Sequence, residues 1–338
     1  MDDTLAMAFR INPAKPLVWR DSETAQIGLD GDALVLPSLS ASEARLIDRW
    51  YRGVAEAAID EVTELEKPRE LLQRLSPVLL KNHESTKHLL SNEFVRSAFA
   101  EIIRASYLND IDGIAVLEAR AAKAISIDSI GPAGLLICLG LAASGLGSIF
   151  TEDTATISEQ DIGPLAYPRS ALGQSRISAL SAILNDHPSG MRVEQFDRLT
   201  EAKGRHSIRV ITGQNAMHPA SYRKLRSKRI PHLAVMFGSS WVSVSPRILG
   251  GACLGCLDLH KTDADPLWPT LASQLVGRAE YLEDARSALF AASMAVGEIA
   301  RAIDSPNQEA EFVGHRLHVA SGRVEEWSWP RHSECDCG

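Results

Sequence analysis

The chain predicts an α/β fold, with a small α+β module ahead of it and a cysteine-tied region at its end. Three observations carry that reading. From residue 113 onward, short β-prone runs alternate with long helical ones. Near the start, three short strands precede a capped helix. Four of the five cysteines fall into two close pairs.

With 338 residues the chain is long enough for two or three domains and a well-buried core. Hydrophobic residues at 45% and charged residues at 23% place it among globular proteins. The net charge of −8, from 35 basic and 43 acidic side chains, argues against a general nucleic-acid binder. No apolar run reaches membrane-spanning length, so no transmembrane helix is expected. The opening Met1-Asp2-Asp3-Thr4 carries acids where an export signal needs bases. A reducing, cytoplasmic setting is therefore expected.

In that setting five cysteines do not predict a disulfide framework. Cys253 and Cys256 form a CxxC knuckle, and Cys335 and Cys337 form a CxC pair. Zinc favours four thiolates in a tetrahedron, and a tight turn presents two sulfurs at once. The alternative is a redox CxxC with unrelated terminal cysteines. His260 and His332 lie near the pairs, and either could replace a thiolate. Cys138, among Leu135, Leu136, Ile137 and Leu139, reads as a small core residue.

Along the chain, residues 16–19, 24–28 and 33–36 are β-prone, with Asp21-Ser22 and Asp30-Gly31-Asp32 as turns. Ser40 and Glu43 form a capping box for a helix carrying Leu46, Ile47, Trp50 and Tyr51 on one face. Two further helical patterns follow, one over Leu71, Leu72, Leu75, Val78 and Leu79, the other over Phe94, Phe99, Ile102 and Ile103. The polar residues 81–86 between them read as a loop.

Residues 124–127 and 148–151 predict strands on either side of an apolar helix from Leu135 to Ser144, a βαβ unit. More strands are expected at 208–211, 233–237 and 241–244, and helices at 218–229, 266–276 and 283–304. A closing hairpin pairs 316–319 with 324–327.

The βαβ turn reads Ser129-Ile130-Gly131-Pro132-Ala133-Gly134. It keeps the second and third glycines of a Rossmann fingerprint, which let the backbone approach a phosphate at a helix N-terminus. Glu152 and Asp153, at the end of the next strand, stand where an acid holds a ribose. A βαβ crossover that binds nothing is the plainer alternative. The basic run Tyr222 to Arg229 reads first as a solvated face, and more sharply as a dock for an acidic peptide. His187, His206 and His218 show no metal spacing.

The glycine turn, Ala142-Ala143-Ser144-Gly145-Leu146-Gly147, the strand ending in acids, and Gly250-Gly251-Ala252-Cys253-Leu254-Gly255-Cys256 together resemble the ThiF/MoeB/ubiquitin-activating superfamily. The resemblance covers residues 113–338 and implies a Rossmann-like domain, ATP and magnesium, a homodimer and a four-cysteine zinc site. It would place nucleotide contacts at Gly131, Gly134, Glu152, Asp153 and Arg176. The chain departs from the family at its charged positions. Ser158 to Gly163 holds no arginine, the family's lysine motif reads Gly173-Gln174-Ser175-Arg176, and Gln214 stands where the magnesium aspartate is expected. Adenylation must neutralise developing phosphate charge, so these losses predict little turnover.

The first 80 residues resemble a PqqD-like, winged-helix-like module that takes an extended leader peptide as an added strand. Residues 81–112 would be a helical linker. With the closing Trp329 to Cys337, this order resembles the ThiF-like leader-binding partners of YcaO cyclodehydratases. The resemblance implies a scaffold for a ribosomal precursor peptide and a YcaO-type enzyme. An active adenylyltransferase on a peptide or carrier-protein carboxylate is the alternative.

Overall fold

The computed structural model describes residues 11–52, 68–80, 89–196, 208–278, 281–306 and 312–337. Residues 81–86, expected as a loop, and His206 lie outside them. The chain divides into two compact units, Met1–Ala119 and Arg120–Gly338.

In the first unit, β1 (Leu17–Trp19), β2 (Ala25–Ile27) and β3 (Leu34–Leu36) form an antiparallel meander. Helix α1 (Ala41–Tyr51) opens on the expected capping box: the Ser40 hydroxyl accepts from the Glu43 amide, and the Glu43 carboxylate accepts from the Ser40 amide. Its buried face, Leu46, Ile47 and Trp50, packs with Ile27, Leu36, Leu71 and Leu75 in one core. Helix α2 (Pro68–Leu75) stops short of the expected run, because Pro77 cannot continue a helix. Val78 and Leu79 follow in a turn, where Leu79 pairs with Ile11. The second expected helix is broken at Ala98 into α3 (Asn92–Ser97) and α4 (Phe99–Asn109). The break turns Phe99 out of the shared face, leaving it 57% exposed, while Phe94 and Ile102 are buried. Helix α5 (Gly113–Ala121) crosses α4 closely: a Cβ on Gly113 would lie 1.9 Å from the Ile102 carbonyl oxygen.

The second unit is an eight-stranded sheet in the order β11-β10-β9-β8-β7-β4-β5-β6. The parallel strands are β4 (Ala124–Ile127), β5 (Ser148–Thr151), β6 (Arg192–Gln195), β7 (Arg209–Gln214) and β8 (His232–Phe237). Antiparallel β9 (Trp241–Val244), β10 (Gly314–His318) and β11 (Val324–Trp327) extend one side. Strand β6 was not anticipated, since Arg192, Glu194 and Gln195 are polar and exposed at the sheet edge.

Helix α6 (Pro132–Ala143) is apolar on all sides and buried. It lies against α11 (Ala285–Asp304), whose stripe of Ala288, Ala291, Ala292 and Ala295 permits close approach. Helix α7 (Arg176–Asn185) joins the same layer through Ala179, Leu180 and Leu184. The opposite face of the sheet carries Ile211 and Ala234, covered by α8 (Pro219–Ser227) and α9 (Leu254–Ala264). Helix α10 (Trp268–Leu275) follows α9 and buries none of its residues. The chain passes from β4 to β5 on one side while β7 lies on the other, so a crevice opens at the carboxyl ends of β4 and β7.

Among the described residues, no helix is long and apolar enough to cross a membrane.

Candidate functional site

The glycine turn lies in that crevice. Gly131 caps α6 in an extended conformation, and Pro132 occupies its first turn. Gly134 has a steric reason: a Cβ there would lie 2.2 Å from the Ser129 carbonyl oxygen. Buried Tyr167 donates its hydroxyl to the Ile130 carbonyl at 2.8 Å and holds the turn from below.

Of the two acids expected to meet a nucleotide, Asp153 is buried and turned toward the protein, while Glu152 stays exposed. Asp153, at the end of β5, accepts from the Ile130 amide at 2.8 Å, the Ala155 amide at 2.8 Å and the Ser129 hydroxyl at 3.3 Å. Arg176 reaches Asp153 at 3.1 Å through Nη1 and Asp161 at 2.6 Å through Nη2. Burial opposes the guanidinium charge, but the two carboxylates outweigh it and raise the Arg176 pKa. Asp161 is buried and also accepts from the Ser158 amide and hydroxyl, both at 2.9 Å. Glu152 pairs with Arg209 at 2.6 Å. Gln214, at the end of β7, donates to Glu283 across a long 3.4 Å contact.

Glu283 supplies the feature that sequence reasoning missed. Its Oε2 accepts from the Ala133 amide at 3.0 Å, in the first turn of α6. A carboxylate of the chain itself therefore sits where the dipole and free amides of α6 would draw an anion. Asp284 caps α11 by accepting from the Arg286 and Ser287 amides, which positions Glu283 just ahead of that helix. The helix start was legible in the sequence. The contact with α6, 150 residues away, left no local signal.

Asp128 follows β4 and accepts from the Thr212 amide and hydroxyl, each at 3.0 Å. Burial pushes its pKa from 3.8 up to about 6, against the pull of those hydrogen bonds and Arg209. The folded state thus holds this proton more tightly than the unfolded chain does. Stability from this group falls as pH rises from 3.8 through about 6. An Asp128→Asn chain, which cannot ionise, is expected to lack that fall. Urea unfolding at pH 4 and pH 7 checks it, and identical pH slopes for the two chains would count against it.

The four cysteines converge. The Sγ atoms of Cys253 and Cys256 are 3.9 Å apart, those of Cys253 and Cys335 3.7 Å, and those of Cys256 and Cys337 3.4 Å. Four thiolates around an ion at about 2.3 Å stand about 3.8 Å apart, so the cluster could hold a tetrahedral metal ion. The knuckle opens α9, with Cys253 as its N-cap, and that helix was not anticipated. Gly250 and Gly251 precede it at φ of +81° and +66°, a conformation that favours glycine. Trp329 donates its indole N–H to the Cys253 carbonyl at 2.9 Å, and Arg226 pairs with Asp336 at 2.6 Å, so the tail is held on both sides of the cluster.

His260 and His332 do something other than replace a thiolate. His332 Nδ1 accepts from the Glu334 amide at 3.1 Å, so the ring proton sits on Nε2, which reaches Asp263 at 2.8 Å. His260 Nε2 meets the Pro330 carbonyl at 2.9 Å. Both rings clip the tail to α9. His218 caps α8, its ring accepting from the Ala220 amide, and His187 accepts from the Ser189 amide. The basic run of α8 is part surface and part core: Tyr222 and Leu225 are buried. Cys138 is fully buried in the core, and burial raises its thiol pKa.

The chain is similar in structure to PaaA, at 16% sequence identity and a TM-score of 0.67, over 94% of this chain and 99% of that one. It is also similar to Escherichia coli MccB solved with MccA-N7isoASN, at 14% identity and a TM-score of 0.65, over 98% of this chain and 100% of that one. A third structure, the microcin C7 biosynthetic enzyme MccB in complex with N-formylated MccA, matches at 13% identity and a TM-score of 0.65 over the same shares. MccB has also been solved with ATP, and matches at 14% identity and a TM-score of 0.65 over those shares. No protein-family model matches the chain, and no curated protein sequence does. At these identities the likeness establishes the fold, shared with PaaA and MccB over nearly the whole chain.

Proposed function

From that shared fold, we propose that the chain is a leader-peptide-binding scaffold for ribosomal peptide modification, with a degenerate adenylation site. Residues 1–80 act as the peptide-recognition module, 81–112 as its helical linker, and 113–338 as the ThiF-like domain. The peptide adds as a strand to an open edge of the β1-β2-β3 sheet. Val18 and Trp19 on edge strand β1 are 37% and 41% exposed, which suits such a contact. A YcaO-type enzyme then modifies the peptide, and the scaffold works as a homodimer. Zinc on Cys253, Cys256, Cys335 and Cys337 ties the tail to α9 and does no chemistry.

The observation that carries this reading is the fate of Arg176. A guanidinium clasped between Asp153 and Asp161 is not free to neutralise a leaving pyrophosphate. MccB, with the same fold, was solved with a partner, MccA, which supports a peptide as ligand here. A fluorescein-labelled candidate precursor peptide is expected to bind the full chain with saturable anisotropy, and a flat titration across candidates would remove the core of the proposal.

The second reading is an active adenylyltransferase that holds ATP and magnesium through Gly131, Gly134, Glu152, Asp153 and Arg176. MccB with ATP favours it. ATP–pyrophosphate exchange above background, in the presence of the peptide, would establish it over the scaffold.

A further inference from the structure

Glu283 lies where an incoming anion would bind, and its surroundings show that the place is contested. One carboxylate oxygen accepts from the Ala133 amide at 3.0 Å. The other, among the described residues, has the long 3.4 Å contact with Gln214 Nε2. Beside it opens a cavity of about 270 Å³ lined by Ser129, Thr212, Gln214, His218, Arg278 and Glu283 among others. Two buried polar atoms around the turn, Arg176 Nε and Gln214 Oε1, have no hydrogen-bond partner among the described residues. An ideal Cβ on Gly131 would lie 3.6 Å from both Arg176 Nη1 and Glu283 Oε2, so the turn borders a cation and an anion together.

The charges decide what that means. Asp153, Asp161 and Glu283 place three carboxylates near the turn, against the guanidinium of Arg176 and that of Arg278 on the cavity wall. A polyanion entering here meets a net negative field, and the amide that would receive it is already taken. It can bind only if the Glu283 carboxylate leaves, and the cavity beside it gives the displaced side chain somewhere to go.

We propose that Glu283 is an internal plug of the Gly131 turn, an autoinhibitory contact that competes with phosphate-bearing anions for the N-terminus of α6. Phosphate and Glu283 exclude each other, so the apparent affinity of the native chain is the intrinsic affinity reduced by the fraction of time the plug is out. The inference does not depend on peptide capture. The anisotropy experiment and the one below can fail separately.

The test is calorimetric titration of the full-length chain with magnesium and inorganic pyrophosphate, and in a second arm with ATP. A charge-assisted hydrogen bond and a full negative charge are lost together in Glu283→Ala, so it is expected to bind pyrophosphate roughly tenfold to a hundredfold tighter than the native chain. Glu283→Gln loses the charge but keeps the shape, and its affinity is expected to lie between the two. A rise in ATP affinity alongside that for pyrophosphate supports the plug. Equal affinity of the native chain and both variants for both anions overturns it, and so does an equal absence of binding. If Glu283→Ala fails to fold, Glu283→Gln decides alone: a gain supports the plug, and no gain overturns it.

Discussion

A Cys256→Ser chain is expected to lose the proposed zinc and to unfold about 4 kcal/mol more easily, as loss of a cross-link closing a loop of roughly eighty residues would imply. The loop from Cys256 to Cys335 encloses α10, α11 and the closing hairpin, so the tie acts on most of the last third of the chain. Cys256 is fully buried, and its Sγ is 3.4 Å from that of Cys337. Removing it leaves three ligands and opens the tetrahedron. Metal analysis of the purified chain and its urea midpoint read the two effects. Zinc content unchanged from the native chain would refute the assignment, whatever the midpoint does. Chelation of the native chain is expected to reproduce the variant's loss of stability.

An Asp304→Ala substitution is expected to destabilise the second unit by about 3–5 kcal/mol, because it strands a buried charge. Arg120 donates to both Asp304 oxygens, at 2.8 and 2.6 Å, and a third bond runs to the Ser144 carbonyl at 3.1 Å. The two side chains are 6% and 7% exposed. The pair fastens the start of this unit to the last turn of α11 and to the C-cap of α6. The cost comes from the uncompensated guanidinium, not from the net worth of the pair. An Arg120→Met/Asp304→Leu double variant is therefore expected to recover most of the loss. Denaturant unfolding of the three chains decides it. A double variant as unstable as Asp304→Ala would show that the pair itself supplies the stability.

These two expectations stand differently toward the sequence. The cysteine pairs were visible in it, because CxxC and CxC are local spacings that each bring two thiols together. The Arg120–Asp304 pair was not, because nothing within a few residues of either marks them as partners 184 residues apart. The same division runs through the fold. Strands β4, β5, β8 and β9 and helices α6 and α11 were legible because each contributes apolar residues buried in the sheet core. Strand β6 is polar at the sheet edge and was missed, and no element was expected where α7 lies. The helical period through Leu75 to Leu79 was read too far, since a tally of apolar spacing overlooks one proline.

The sequence by itself determined the class of fold, which is written in residue types at fixed local offsets, apolar periodicity and turn glycines. The departures at Gln214 and Arg176 follow only from the resemblance. Only the tertiary structure decided what became of the charges left behind. Arg176 is clasped by Asp153 and Asp161, Glu152 by Arg209, and the N-terminus of α6 is filled by Glu283. Coulombic and hydrogen-bonded partners are chosen by distance in space, and a chain folded around a parallel sheet brings together residues that its order keeps far apart.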